Sequence, residues 1–192
     1  WTGAITQAFP MDKWEQCGDA TLTREQLAHL PCWIPIDLAS KIDIAALPLM
    51  FYDEDADILY FITRGRFYLP QAAVDEGMNS QYAGWAEEQW IKVTEGAVID
   101  FDSIEEDLRL DCAELDVQEM PYDPWQATQL ASHMIDEGAP MVEYRQVVKT
   151  MSEPFKTLIG YIKAEKCKHD NNPVMNWMMG NVVALVDAKD NI

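Results

Sequence analysis

The chain has 192 residues, 48% of them hydrophobic and 24% charged, a balance that supports a globular domain with a real core and argues against disorder. Lys and Arg number 14 against 33 Asp and Glu, and the resulting net charge of −19 on its face argues against a nucleic-acid binder. No charge-free apolar run approaches the roughly 18 residues of a membrane span, and no basic-then-apolar start with a small-residue cleavage site is present, so neither a span nor a secretory leader is expected.

Residues 1–30 read as a polar lead-in, with a short helix opened by Thr23 as cap ahead of Arg24, Glu25, Gln26 and Leu27. Residues 32–37 then read as a buried strand despite Pro35, residues 42–52 as a second apolar strand, and residues 58–68, rich in aromatic and β-branched side chains, as a third. Asp53 to Asp57 forms the turn between the last two. Residues 70–95 look irregular. Beyond the turn at Thr94, Glu95 and Gly96, a helix capped by Asp102 or Ser103 runs through Leu115, with Ile104, Leu108 and Cys112 on one face.

Residues 117–122 form a short strand ending at Asp123, and residues 125–137 a helix stopped by Gly138. A strand over 140–144 follows, then a helix over 152–164 with Pro154 in its first turn. Asn172 and Pro173 open a last helix through Gly180. Three strands passing into alternating helices and strands imply one α/β domain with a mixed sheet covered by helices.

Several chemistries lack their motif. No phosphate loop, dinucleotide-binding glycine pattern, H-E-x-x-H or G-x-S-x-G occurs. Asp53, Asp55 and Asp57 imitate a calcium loop, but Ile58 stands where the loop needs Gly and Arg64 where it needs a bidentate Glu. His29, His133 and His169 have no close Ser or Cys partner. Cys17, Cys32, Cys112 and Cys167 form no C-x-x-C pair and read as reduced thiols of a cytosolic protein.

Two aspartates stand out because each ends an apolar strand, Asp37 and Asp123. In an open sheet, ligands gather beyond the carboxyl ends of the strands. Two such carboxylates on neighbouring strands repel, which pushes one pKa up, while a divalent cation lets both ionise. Hard oxygen ligands of this kind suit magnesium or manganese, which activate water for phosphodiester attack. From the pattern alone, either acid reads more readily as a helix cap or a turn former.

Asp37 to Asp43 followed by Ile44, Ala45, Ala46 and Leu47 resembles the start of the nuclease domain of the large terminase subunit of tailed bacteriophages, an RNase H-like nuclease. Phe67 to Pro70, Trp90 to Gly96 and Val98 to Asp100 resemble that family's middle section, and Tyr122 to Ala127 its second acidic motif. His169, Asn172, Pro173, Trp177 and Asn181 match its H-x-x-N-P-x-x-x-W-x-x-x-N signature. The motifs stand in the family's order from about Trp14 to Asn191.

The resemblance implies an RNase H-like domain over residues 31–192, with an antiparallel three-strand meander joined by parallel strands. It implies a metal-dependent endonuclease that cuts concatemeric double-stranded DNA with one or two Mg²⁺ or Mn²⁺ ions. Asp37 and Asp123 correspond to the family's first two metal-binding catalytic aspartates and Asp43 to an auxiliary acid. The third acid of the family usually lies just past the point where this chain stops, and Asp187 is the best substitute within it.

Trp125 is expected beneath the Asp123 turn, and Met175, Trp177, Met178 and Met179 in the core. DNA is expected at Lys163, Lys166 and Lys168 with His169, and at Arg64, Arg66 and Lys41. The family implies an ATPase motor domain, a small terminase subunit and a portal as partners, in the cytoplasm of the bacterial host. Because no phosphate loop is present and the first residue is Trp1, the chain is read as an isolated nuclease domain or an incomplete prophage product. Two rival readings are a junction resolvase or transposase of the same fold, and a catalytically inactive acidic module that binds packaging partners.

Overall fold

Alternation builds the central strand: Cys32, Ile34 and Ile36 are buried while Trp33 and Pro35 between them are half-buried, the period expected of a strand with one face on a core. The computed structural model describes residues 6–38 and 43–184. In chain order its elements are β1 (Thr6–Gln7), α1 (Met11–Gln16), α2 (Arg24–Leu27), β2 (Pro31–Trp33), β3 (Ala45–Ala46), β4 (Leu49–Asp53), β5 (Ile58–Ile62) and β6 (Phe67–Pro70). There follow α3 (Gln71–Asp75), α4 (Tyr82–Glu87), β7 (Lys92–Thr94), α5 (Phe101–Glu114), β8 (Asp116–Tyr122) and α6 (Pro124–Asp136). Then come β9 (Met141–Glu143), α7 (Val148–Lys163), β10 (Cys167–His169), α8 (Pro173–Asn181) and β11 (Val183–Ala184).

The main sheet has six strands in the order β10-β5-β4-β2-β8-β9. β4 runs antiparallel to both its neighbours, and the pairs β2–β8, β8–β9 and β5–β10 are parallel. This is the mixed α/β sheet, meander plus parallel strands, that the sequence predicts. Because all strands but β4 point the same way, the sheet has one carboxyl edge, where β2, β5, β8, β9 and β10 all end.

One face of the sheet buries Cys32, Ile34, Phe51, Met120 and Tyr122 against Ile104 and Leu108 of α5 and Ala127, Leu130 and Met134 of α6. A second cluster joins Phe9, Trp14 and Cys17 to Ile162, Cys167 and Met179. Residues 6–30 are therefore part of the fold rather than a lead-in, and β1 closes the chain by pairing with β11.

Two expected strands are each broken in the middle. Pro48, which has no N–H for a ladder, separates β3 from β4. Thr63 to Arg66, with Gly65 at φ 68°, separates β5 from β6. The detached halves, β3 and β6, pair with each other, and β6 pairs with β7 to make a three-stranded sheet; the stretch expected to be irregular holds α3, α4 and β7. α5 starts at an Asp100 cap, which accepts from the Asp102 N–H at 3.1 Å, earlier than predicted. Its inward face carries Asp111, and Cys112 is exposed.

Among the described residues no helix is long and apolar enough to cross a membrane. The four cysteines are free thiols.

Candidate functional site

Ile36 and Tyr122 face each other across parallel strands, and the Ile36 N–H donates to the Pro121 carbonyl at 2.8 Å. One residue further on each strand, the chain turns Asp37 and Asp123 away from the buried face that holds Ile36 and Tyr122. Asp37 is pinned by a two-way backbone bridge to Ala46, at 3.0 and 2.9 Å. Asp123 caps α6: its Oδ1 accepts from the Trp125 N–H at 2.9 Å, and Pro124 fills the first helical position.

A third strand end contributes Gln146. The Tyr144 N–H still donates to the Tyr122 carbonyl at 2.8 Å, so the segment after β9 stays zipped to β8 and delivers Gln146 to the carboxyl edge. Its N–H donates to Asp123 Oδ2 at 3.1 Å, and its side-chain Nε2 reaches Asp37 Oδ1 at 3.5 Å. α7 then carries Pro154 inside it, which leaves the Thr150 carbonyl four residues back without its helical donor. The Tyr144 hydroxyl donates to that carbonyl at 2.6 Å and so fixes the entry to α7 beside Gln146.

Ile36, Asp37, Leu38, Asp123, Trp125 and Gln146 line a cavity of about 230 Å³. The two carboxylates in it are pushed in opposite directions. Hydrogen bonds from the backbone N–H groups of Trp125 and Gln146, helped by the charge of Arg145, hold Asp123 below the usual carboxylate range. Asp37 is raised, chiefly because surrounding protein displaces water from its carboxyl and further because Asp123 is charged, while the Gln146 amide partly offsets the rise. Two neighbouring carboxyls whose environments drive their pKa values apart are the arrangement that acid–base and metal chemistry use.

The remaining expected site residues are placed elsewhere. Asp43 does not line this cavity; it lies near Tyr82, whose phenol is raised chiefly by burial and further by the charge of Asp43. Lys41 and Asp187 lie outside the described residues. Lys163 and Lys166 precede β10, at the amino edge of the sheet and three strands from β2, so the fold carries them away from the aspartates. Lys166 pairs with Asp57 there. Lys168 lies on β10, and Arg66 is buried against Asp111.

The expectation of a DNA-contacting His169 is corrected, because its exposure is 0%. Its ring stacks on Trp14 at 3.9 Å, its Nδ1 accepts from the Asn171 N–H at 3.2 Å, and its Nε2 lies 2.9 Å from the Trp14 carbonyl. With Nδ1 accepting, Nε2 carries the proton, and the neutral ring fastens α1 to β10. Asp170 next to it accepts from the Thr63 and Arg64 N–H groups, both at 2.7 Å, and Asn172 caps α8. The H-x-x-N-P stretch is thus a clamp between chain segments.

Trp125 is also corrected: instead of packing beneath Asp123 it stands 88% exposed at the cavity rim. Gln146 was not singled out by sequence reasoning, although its position two residues past a predicted strand end is a usable signal. Among the described residues no group of three His, Cys, Asp or Glu side chains converges to hold a metal ion.

The chain is similar to Protein YmfN of Escherichia coli (strain K12), 32% identical over 191 residues, covering 95% of this chain and 42% of that protein. It is similar to the large terminase subunit of Enterobacteria phage HK97, 25% identical over 185 residues, covering 93% of this chain and 35% of that protein. The crystal structure of the HK97 bacteriophage large terminase superposes with a TM-score of 0.83 at 22% identity, over 98% of this chain and 39% of that one, and shares its fold. The chain thus spans about two fifths of the length of these relatives. Residues 1–192 match the family described as terminase large subunit, endonuclease domain, and the chain belongs to that family.

Proposed function

We propose that this terminase nuclease domain is a metal-dependent endodeoxyribonuclease that cuts double-stranded DNA, with Asp37 and Asp123 as its metal-binding catalytic residues. The observation that supports this reading is their placement one residue past facing positions on adjacent parallel strands, in one cavity, with their pKa values driven apart. The reading extends to concatemeric DNA as substrate, to an ATPase motor domain, a small terminase subunit and a portal as partners, and to the host cytoplasm as the place of action.

The donor chemistry fits Mg²⁺ or Mn²⁺. Mg²⁺ is commonly held by one or two carboxylates, with water and substrate phosphate completing its shell. Asp123 stays ionised to low pH because two backbone N–H groups hold its oxygens, so it is the constant anion of the pair. Asp37, with its raised pKa, is the member whose ionised form a bound cation would favour more. A bound divalent ion supplies Lewis-acid stabilisation of the phosphate and lowers the pKa of water for attack. Gln146 keeps the two acids oriented through its contacts to both, and Leu38 and Ile36 keep the cavity wall apolar.

Plasmid cleavage with Mn²⁺, Mg²⁺ or EDTA tests the reading, beside Asp37→Asn and Asp123→Asn. Metal-dependent nicking lost in either variant supports it, provided circular dichroism shows both folded. A preference for branched over linear duplex DNA would assign the site to a junction-resolving activity instead. The absence of a third acidic ligand among the described residues, with the net charge of −19, favours a second reading, an acidic module that docks on packaging partners. Partner binding that is unchanged by both substitutions and by chelation, from a chain that never cuts, would establish that alternative.

A further inference from the structure

The chain carries seven tryptophans, and the fold buries Trp14 completely and Trp85 almost so. Trp125 is treated differently. At 88% it is the most exposed of the large apolar side chains among the described residues, the next being Val98 at 62%. In that place the indole buries little apolar surface against the fold and is free to contact a ligand.

That place is set by the site itself. Trp125 is the second residue of α6, behind Pro124, and its N–H is the donor that holds Asp123 Oδ1 at 2.9 Å. The bond that orients the carboxylate therefore also fixes the backbone that presents the indole. Trp125 lines the same cavity as Asp37, Asp123 and Gln146. Among the described residues no hydrogen bond or ring contact holds its side chain.

We propose that Trp125 is a substrate-binding residue, whose indole packs on the sugar and base edges of DNA flanking the phosphate that enters the Asp37–Asp123 cavity. This inference rests on the nuclease reading of that cavity. Charge is the reason an aromatic contact suits this domain. A chain of net charge −19 gains little from phosphate attraction, and the lysines at 163 and 166 lie at the far edge of the sheet. Contact between an aromatic face and the deoxyribose of the backbone supplies affinity without cationic charge, and it tolerates any sequence because every nucleotide carries the same sugar. A rigid indole beside the acids would also set how far along the strand the phosphate sits.

The test is DNA affinity by fluorescence anisotropy, in the non-cleaving Asp37→Asn background with Mg²⁺ present, for Trp125 and for Trp125→Ala and Trp125→Phe. Alanine should weaken binding about tenfold through loss of the aromatic contact. Phenylalanine should stay within about threefold, because it keeps an aromatic face. In the chain that keeps Asp37, cleavage by the same three forms at position 125 should show the same ordering in KM. Because the indole is exposed, the melting temperature should be unchanged.

Equal affinity for Trp125 and Trp125→Ala overturns this proposal alone and leaves the nuclease reading standing. A chain that binds no DNA with Trp125 intact overturns both. A dimer in sedimentation that Trp125→Ala dissociates, with DNA affinity unchanged, assigns the indole to self-association and overturns the proposal.

Discussion

Asp37 and Asp123 each follow one of two residues, Ile36 and Tyr122, that face each other on parallel strands, and both contact Gln146, at 3.5 and 3.1 Å. The pair is asymmetric in energy as well as in contacts. Asp37 has a raised pKa, so the fold favours its protonated form, and stability falls as pH rises from its unfolded value of about 3.9 through its folded one. Asp37→Asn should therefore raise the melting temperature without divalent ions, by about 1 °C for a partly screened group in a domain of this length. Mg²⁺ or Mn²⁺ should then raise the melting temperature of the unsubstituted chain more than that of the variant. Equal metal-induced shifts in differential scanning fluorimetry would remove Asp37 from the ligand set.

Gln146 offers two opposite changes at one position. Its side-chain amide holds the Asp37 pKa down, so Gln146→Ala should move Asp37 further up and shift the acid limb of Mn²⁺ binding toward higher pH. At neutral pH the loss should be about two- to threefold in Kd, since a 3.5 Å contact is a weak hydrogen bond. Gln146→Glu should tighten Mn²⁺ binding by placing a third carboxylate in the cavity. Calorimetric titration of both variants checks this, and weaker binding by the Glu variant would mean that repulsion outweighs ligation.

The aspartate pair was legible because each acid closes a patterned strand, 32–37 or 117–122, and side chains at strand ends leave the core. Gln146 was not, since its contact arises only when the segment after β9 zips onto β8. His169 misled for a local reason: lysines at 163, 166 and 168 make the stretch look like surface, yet the strand period turns Cys167 and His169 inward and Lys168 partly outward. The run 58–68 reads as one strand by propensity, but Thr63 to Gly65 break it, and propensity carries no record of which sheet each half joins. Trp125 follows the Asp123 cap as the sequence order requires, but its backbone alone is held there, and the side chain stands exposed rather than beneath the turn.

His169 should titrate as a structural group. Burial lowers its pKa, although its bond to the Trp14 carbonyl partly offsets that effect. Below its unfolded value of about 6.5 the unfolded chain binds a proton that the folded chain resists, so stability falls as pH drops through that range. His169→Gln should cost about 1–3 kcal/mol near neutral pH through the lost stack on Trp14, and should flatten the decline between about pH 7 and 5.5. Urea melts at the two pH values measure both. An unchanged pH slope in the variant would show that carboxylates elsewhere set it.

Arg66 and Asp111 join the break between β5 and β6 to α5. Arg66 Nη2 lies 2.6 Å from Asp111 Oδ2, its Nε donates to the Leu47 carbonyl at 2.7 Å, and Arg24 reaches Asp111 Oδ1 at 3.2 Å. The Asp111 side chain is 0% exposed and that of Arg66 7%, so neither charge can turn to water when its partner is removed. Asp111→Ala should then cost about 3–5 kcal/mol, whereas Arg66→Met with Asp111→Leu should recover most of that loss by removing both charges together. Asp111→Asn, which keeps an acceptor for the guanidinium, should fall between them. Denaturant melts of the three variants decide the matter. If Asp111→Ala lost less than about 1 kcal/mol, water would be entering between α5 and the strand break, and the pair would contribute no more than a surface bridge does.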